Sequence, residues 1–570
     1  MKTSATALRK RSARPYEQIV IEGVKPAIDH GRFPVKAIVG ETCTVDATVY
    51  RHGHEHIRAA VRVRRPGAAG VREVPMLRVE PAHDLWRADV LLDAAGKFTL
   101  SIAAWTDPFA TWACDFDARI EGGASAVAAE IAEGVALVER AAGSAKGEVK
   151  KEIAAVLQRM RDAAGDPSQM RALTADTATR DLIGRNALRD DEVRYESDFE
   201  IMAERPLARV SAWYEVPVPG SSAPAVFADA EGRLPLVHEL GCDVIRIAPG
   251  LPIGAATDAT IGGFDQFVHA ANVLGLEVAL ELSTECSADH PWVTAHPDWF
   301  QRRADGSVRL NFETGDWKRL WHELREVIRF WIGHGIRIFS VVEPHTKPLG
   351  FWSWVIDEIH LESPEVIFLA EAVPRLPMMR ALGLRGFAQS RTQFEEKRTG
   401  AELTSYLRDL VSPHMSAAVR PNFSVTGSDA AFRSRLVLAA MLSPSYSLGE
   451  PPDGTHDLIR RLNDARKTNP ALHRFDNLQV AETDDEHLVG FVKSTPDHAN
   501  SVIVIVNLDP GEAHAGHVRV PEESIGLAPG ESATVEDVLT GKTFTWTRSL
   551  HVRLDPHDGE PAHVLVVRGR

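Results

Sequence analysis

Two carboxylates stand at the ends of apolar runs in the middle of this chain. Glu371 closes Val366-Ile-Phe-Leu-Ala-Glu371, and Glu343 follows Ile336-Arg-Ile-Phe-Ser-Val-Val342. Between the runs lie a polar loop, Pro344-His-Thr-Lys-Pro348, and an aromatic helical pattern through Phe351, Trp352, Trp354 and Ile356. Strand, loop, helix, strand is the pattern of a βαβ unit with parallel strands. Such folds gather their chemistry at the C-terminal strand ends, where a carboxylate can exchange a proton with a substrate or attack it. The second strand delivers Glu371 to that edge; the first delivers Val342 and only then Glu343.

Around this stretch the chain has 570 residues, which predicts three or four domains. It is 44% hydrophobic and 25% charged, as soluble globular proteins are. No apolar run reaches the roughly 18 residues of a membrane span. Met1 to Arg14 has basic residues but no apolar core segment, so it reads as a disordered tail and not as a secretory signal. Cys43, Cys114, Cys242 and Cys286 lie far apart without a C-x-x-C spacing. Reduced thiols in a cytoplasm are expected, with neither a disulfide frame nor zinc. No G-x-G-x-x-G or Walker-type loop is present and no cofactor is expected. A net charge of −15 without a basic cluster argues against nucleic acid and anionic membrane as partners. It is compatible with a neutral substrate, or with a small anion in a local basic pocket. The twelve tryptophans could stack on sugar faces or pack the core.

Residues 15–120 read as short, often alternating strands punctuated by Gly, Pro and Asp, the pattern of a β-sandwich. From 121 to 205, runs rich in Ala, Glu, Leu and Lys predict a helical insertion of two or three helices. Residues 206–455 alternate strand and helix patterns and predict a (β/α)₈ barrel, with a doubly wound sheet as the alternative. Residues 456–570 read as one helix, Asp457 to Thr468, followed by a C-terminal β-sandwich.

This order of parts meets specific motifs. Ala212-Trp-Tyr-Glu, Glu285-Cys-Ser-Ala-Asp-His-Pro-Trp292, His296-Pro-Asp-Trp-Phe300, Pro344-His-Thr-Lys-Pro348, Phe368-Leu-Ala-Glu-Ala372, Leu442-Ser-Pro-Ser-Tyr446 and Val506-Asn-Leu-Asp-Pro510 occur in sequence. Together they resemble the bacterial α-1,4-glucan:maltose-1-phosphate maltosyltransferases of the α-amylase superfamily, glycoside hydrolase family 13. The resemblance spans about Pro15 to Val567. It implies a retaining double displacement, in which an Asp ending strand 4 expels phosphate from maltose 1-phosphate and a Glu ending strand 5 acts as acid and then base. The maltosyl unit then passes to a glucan 4-hydroxyl. It also implies a homodimer, or pairing with an active homologue, and an α-1,4-glucan or maltooligosaccharide ligand.

Carried over residue by residue, the resemblance makes Glu371 the acid/base; a salt-bridged strand-end Glu is the competing account. Asp429 falls at the third carboxylate, although Thr426 stands where the family has Asn or His, and a helix N-cap Asp would look the same. The nucleophile position is Val342. The Arg two residues before it is Ser340, and the phosphate-contacting Asn after it is Glu343. A valine cannot form the glycosyl ester. Glu343 points to the other strand face unless the strand is bulged. Glu281 stands for a family Asp, and Glu285 for a donor-site Gln. The segments between Ile253 and Gly262, Arg303 and Leu310, and Ser445 and Asp457 are shorter than the family's site loops. His345, Lys347 and Trp292 remain as candidate sugar contacts. The expectation is a catalytically impaired, glucan-binding or partner-regulating member. The rival is an active transferase or weak hydrolase using Glu371 with Glu343 or Glu281 as replacement carboxylate. A purely structural protein is the third reading.

Overall fold

The computed structural model describes residues 18–569 except 124–126, 217–222, 248–257, 287, 289, 305–307, 373, 398, 428–429 and 558. The segment 1–14 read as a tail lies outside the described residues. The chain forms two compact units, 1–202 and 203–570.

In the first unit, one sheet has the strands Ile19–Lys25, Thr42–Arg51, Ala82–Leu91 and Leu77–Val79, in that order. A second has Val35–Ile38, Phe199–Glu204, Gly96–Thr106, Ile57–Arg64 and Val71–Pro75, with Val193–Arg194 on the side. Val45, Ala47 and Val49, and Gly96, Phe98, Leu100 and Ile102, are buried at every second position, as a sandwich requires, and Ile102–Trp105 are buried on both faces. Among the described residues, four helices stand where two or three were expected, Ala128–Ser144, Gly147–Asp162, Pro167–Ala175 and Thr177–Arg185, and a fifth, Pro108–Glu121, occupies the end of the stretch read as strands. The extra ones are short or begin early, and capping chemistry explains them. Asp107, Asp166 and Asp176 each cap a helix through their side chains, and Pro occupies the first turn after Asp107 and Asp166. Phe199–Glu204, inside the stretch read as helical, returns as a strand between two strands of the sandwich.

The second unit holds a closed barrel of eight parallel strands, which excludes the doubly wound alternative. We number them β1 (Ser211–Val216), β2 (Val244–Ile247), β3 (Glu277–Leu282), β4 (Ile338–Val342), β5 (Ile367–Glu371), β6 (Gln389–Arg391), β7 (Pro421–Val425) and β8 (Ser445–Leu448). β8 pairs back onto β1, Ser211 opposite Ser445. The barrel interior holds Trp213, Val244, Ala279, Ile338, Ile367 and Leu369. On the β6–β8 side the filling is polar. Asn422 Nδ2 donates to Ser445 Oγ at 2.8 Å, and Ser445 Oγ to Gln389 Oε1 at 2.7 Å. Buried polar groups are tolerable there because they satisfy one another.

The helix after β8, His456–Thr468, packs against the barrel. Asn463 Nδ2 donates to the Leu240 carbonyl at 2.8 Å, and Tyr446 donates its hydroxyl to Asn463 Oδ1 at 2.9 Å. It completes the set of outer helices. The C-terminal β region has a six-stranded and a three-stranded sheet around Ile503, Ile505, Trp546 and Leu565. Its strand His514–Arg519 offers only Ala515 and Val518 as apolar residues and so gives little strand signal, whereas Ser549–Leu554 alternates polar and apolar residues as a half-buried strand does. Among the described residues, no helix is long and apolar enough to cross a membrane.

Candidate functional site

Every barrel strand from β1 to β6 sends a side chain to one layer near the C-terminal rim, and ion pairing organises that layer. Arg246 on β2 is its hub. Its Nη2 donates to Glu215 on β1 at 2.8 Å. Its Nη1 donates to Glu281 on β3 at 3.1 Å and to Glu371 on β5 at 2.5 Å. Arg391, ending β6, pairs with the other oxygen of Glu215 and lies 3.6 Å from Glu371. Ser340 on β4 donates its hydroxyl to Glu371 at 2.8 Å. Arg246, Arg391 and Ser340 are buried. Three carboxylates so close together in low dielectric would repel strongly; the two guanidinia make the cluster tolerable.

The carboxylates differ in proton affinity. Burial acts to raise the Glu215 carboxyl, but Arg391 and Arg246 outweigh it and hold it below the usual carboxylate range. Burial pushes the Glu281 carboxyl up to about 7; Arg246 opposes the shift, and Glu371 and Glu215 add to it. The folded chain therefore keeps a proton on Glu281 that the unfolded chain has lost, and the associated stability falls as pH rises from the ordinary Glu range through about 7. Gln cannot lose that proton. Glu281→Gln is expected to match wild type at pH 5 and to exceed it by about 1–3 kcal/mol at pH 8. Urea unfolding at the two pH values checks this, and an equal difference at both would refute it.

The structure brings Glu371 and Glu281 into this layer and leaves Glu343 out. β4 and β5 pair in unbroken register, Val342 opposite Glu371, so no bulge re-aims the strand end. Ser340 reaches Glu371, and Val342, two residues on, shares that lumen face. Glu343 lies past the strand, exposed, with a left-handed φ of 46° in the turn after β4. Its N–H donates to the Glu371 carbonyl at 3.0 Å. His345 is half-buried, with its Nδ1 unpartnered among the described residues. Lys347 is buried, its Nζ 2.8 Å from Thr346 Oγ1. Trp352, whose Nε1 donates to the Pro344 carbonyl at 2.9 Å, ties this loop to the following helix. Trp292 is half-buried after β3 and meets Trp299 edge to face at 5.6 Å. Glu285 lies in a two-residue strand paired with Arg309, its side chain outside the described residues, as is the whole of Asp429.

Sequence reasoning missed Glu215, Arg246 and Arg391 as members of the site. A signal was present: Val244-Ile-Arg-Ile247 puts a guanidinium into an otherwise apolar strand, and a charge there must be paired.

Comparison with known proteins agrees with the motifs. Residues 17–205 match the family described as alpha-1,4-glucan:maltose-1-phosphate maltosyltransferase, domain N/S, and residues 480–567 match GLGE, C-terminal. The chain is 32% identical to the alpha-1,4-glucan:maltose-1-phosphate maltosyltransferase of Myxococcus xanthus, over 96% of this chain and 97% of that protein. It is 34% identical to alpha-1,4-glucan:maltose-1-phosphate maltosyltransferase 1 of Streptomyces coelicolor, over 96% and 95%. The first alignment spans 655 positions against 570 residues here, so the relative carries segments without a counterpart in this chain. In fold, the chain is similar to an alpha-amylase from Lactobacillus plantarum, with a TM-score of 0.51 and 17% identity over 64% of this chain and 100% of that one. With identity above three in ten across nearly all of both sequences, this chain belongs to the alpha-1,4-glucan:maltose-1-phosphate maltosyltransferase family.

Proposed function

We propose that this chain is an α-glucan-binding family member that has lost maltosyl transfer from maltose 1-phosphate. One observation carries the reading: the lumen-facing residue at the end of β4, opposite Glu371, is Val342. A retaining displacement needs a carboxylate there to form and release the glycosyl ester, and an alkyl side chain offers no electron pair. Glu343, the nearest substitute in sequence, occupies the turn beyond the strand. Glu371 is engaged by Ser340 and Arg246, as a residue retained for the integrity of the barrel would be. The glucan ligand is inferred from the relatives' named substrate and from the half-buried Trp292, whose indole suits the apolar face of a pyranose.

A second reading rests on a different observation. Glu281 and Glu371 both contact Arg246 Nη1, so their oxygens lie within roughly 6 Å of one another, near the 5–5.5 Å spacing of retaining glycosidases. Burial also raises the proton affinity of Glu281, as an acid catalyst requires. A weak hydrolase using this pair is the alternative.

Phosphate release from maltose 1-phosphate in the presence of glycogen separates the two from the family reaction. Wild type is expected to release none above the blank while glycogen still retards it in affinity electrophoresis, and Trp292→Ala is expected to abolish the retardation. Release that disappears in Glu371→Gln would overturn the proposal. Reducing-sugar release from maltooligosaccharide that disappears in both Glu281→Gln and Glu371→Gln would establish the hydrolase instead.

A further inference from the structure

The C-terminal β region holds a histidine–carboxylate cluster that the barrel layer does not use. His487 immediately precedes the strand Leu488–Ser494, Asp509 follows Ser501–Asn507, and His514 opens His514–Arg519. One potential ligand atom from each of the three lies within 4.8 Å of the others. The two imidazole rings face each other with centroids 4.2 Å apart and planes tilted by 35°.

Backbone hydrogen bonds hold the cluster in place. Asp485 Oδ1 accepts the N–H of His487 at 2.8 Å. Asp509 Oδ1 accepts the N–H groups of Gly511 at 2.8 Å and Glu512 at 3.3 Å, while its Oδ2 faces His514 Nε2 at 3.3 Å. The Leu508 N–H donates to the His487 carbonyl at 2.9 Å and extends the ladder beyond the pair Leu488–Asn507, which brings the two connections together. On its far side, His514 Nδ1 lies 3.1 Å from Asp485 Oδ2. A carboxylate on the remote nitrogen is the arrangement that orients a metal-bound imidazole, fixing its tautomer and raising its basicity.

Two imidazoles and one carboxylate form a donor set for zinc and neighbouring first-row divalent ions, whereas calcium and magnesium prefer all-oxygen sites. We propose that His487, His514 and Asp509 bind one divalent transition-metal ion, with Asp485 as the residue that orients His514. Zinc bonds of about 2.0–2.2 Å place tetrahedral ligand atoms some 3.4 Å apart, so the cluster closes by about an ångström on binding. The half-exposed ring of His487 provides that movement by rotating its side chain. The fourth position is left to water. Bound metal would pin together three connections on separate strands, and its role would be structural.

Titration of the chelator-treated full-length chain with zinc chloride, followed by calorimetry and by thermal unfolding, tests this. The expected result is one saturable equivalent per chain with a zinc-dependent rise in Tm. His487→Ala and Asp509→Asn should each remove that equivalent, Asp485→Asn should weaken it about 10–100-fold, and His551→Ala should leave it unchanged. His487 is half-exposed, so its alanine variant should fold, and circular dichroism without metal verifies that. The absence of a saturable equivalent, or one of equal affinity in folded His487→Ala and Asp509→Asn, would overturn the proposal. The latter result would place the zinc on other histidines of the chain.

Discussion

Arg246→Met is expected to lower the stability of the folded chain by about 3–5 kcal/mol at pH 8, the usual penalty for removing one partner of a buried ion cluster. Arg246 is 8% exposed and donates to Glu215, Glu281 and Glu371. Methionine keeps most of the apolar stem, so lost packing contributes little. What remains is three carboxylates near one another with Arg391 as the guanidinium that, among the described residues, still contacts Glu215 and Glu371. The sign with pH follows from that residue of charge. In the variant Glu215 and Glu281 lose the guanidinium that holds their proton affinity down, so the penalty shrinks as pH falls toward 5 and protons replace the missing cation. Combining Arg246→Met with Glu281→Gln should recover part of the loss, because the two side chains are in contact and their effects are not additive. Urea unfolding of the three variants between pH 5 and 8 reads all of this. A penalty below 1 kcal/mol, or one that does not vary with pH, would show that the layer does not depend on its hub.

Lys493→Met is expected to reverse the order of stability between wild type and variant across the alkaline range. Lys493 lies on the strand Leu488–Ser494, is fully buried, and donates its Nζ to the Leu442 carbonyl at 3.0 Å, at the end of the helix Phe432–Leu442. Burial pushes its ammonium down to about 7; the nearby Arg466 adds to the shift and Asp476 opposes it. The folded state thus releases the proton above about 7, while the unfolded chain keeps it up to its ordinary value of 10.5. Between those limits the unfolded chain binds more protons, so wild-type stability rises with pH. At about 1.4 kcal/mol per unit, this one group contributes up to about 5 kcal/mol over the window. Methionine has no such proton. At pH 6 the variant should be the more stable, by virtue of not burying a charge. At pH 10 wild type should lead by about 1 kcal/mol, the worth of its bond to Leu442. Guanidinium unfolding from pH 6 to 10 gives the comparison, and a difference constant in pH would refute the assignment.

The barrel was legible in the chain because its strands are short apolar runs alternating with helical patterns, and each signal is local. The departure at Val342 was legible only against the motif of the family that the chain resembles; strand parity then set Glu343 aside as a replacement. The short helices were harder, since Asp166 and Asp176 begin new helices where periodicity alone suggests continuation. The C-terminal strand His514–Arg519 carries too few apolar residues to announce itself, and with it the histidine–carboxylate cluster stayed hidden.

By itself, then, the sequence determined the family, the order of parts and the absence of a carboxylate at the end of β4. All of these are properties of residues and their near neighbours. Only the tertiary structure decided that Arg246 joins Glu215, Glu281 and Glu371, that Arg391 completes the layer, and that Glu343 falls outside it. Arg246 and Glu371 are 125 positions apart, and Glu215 and Arg391 are 176 apart. Such pairs meet only when β8 closes onto β1, and no spacing along the chain encodes which inward-facing charges that closure brings within reach.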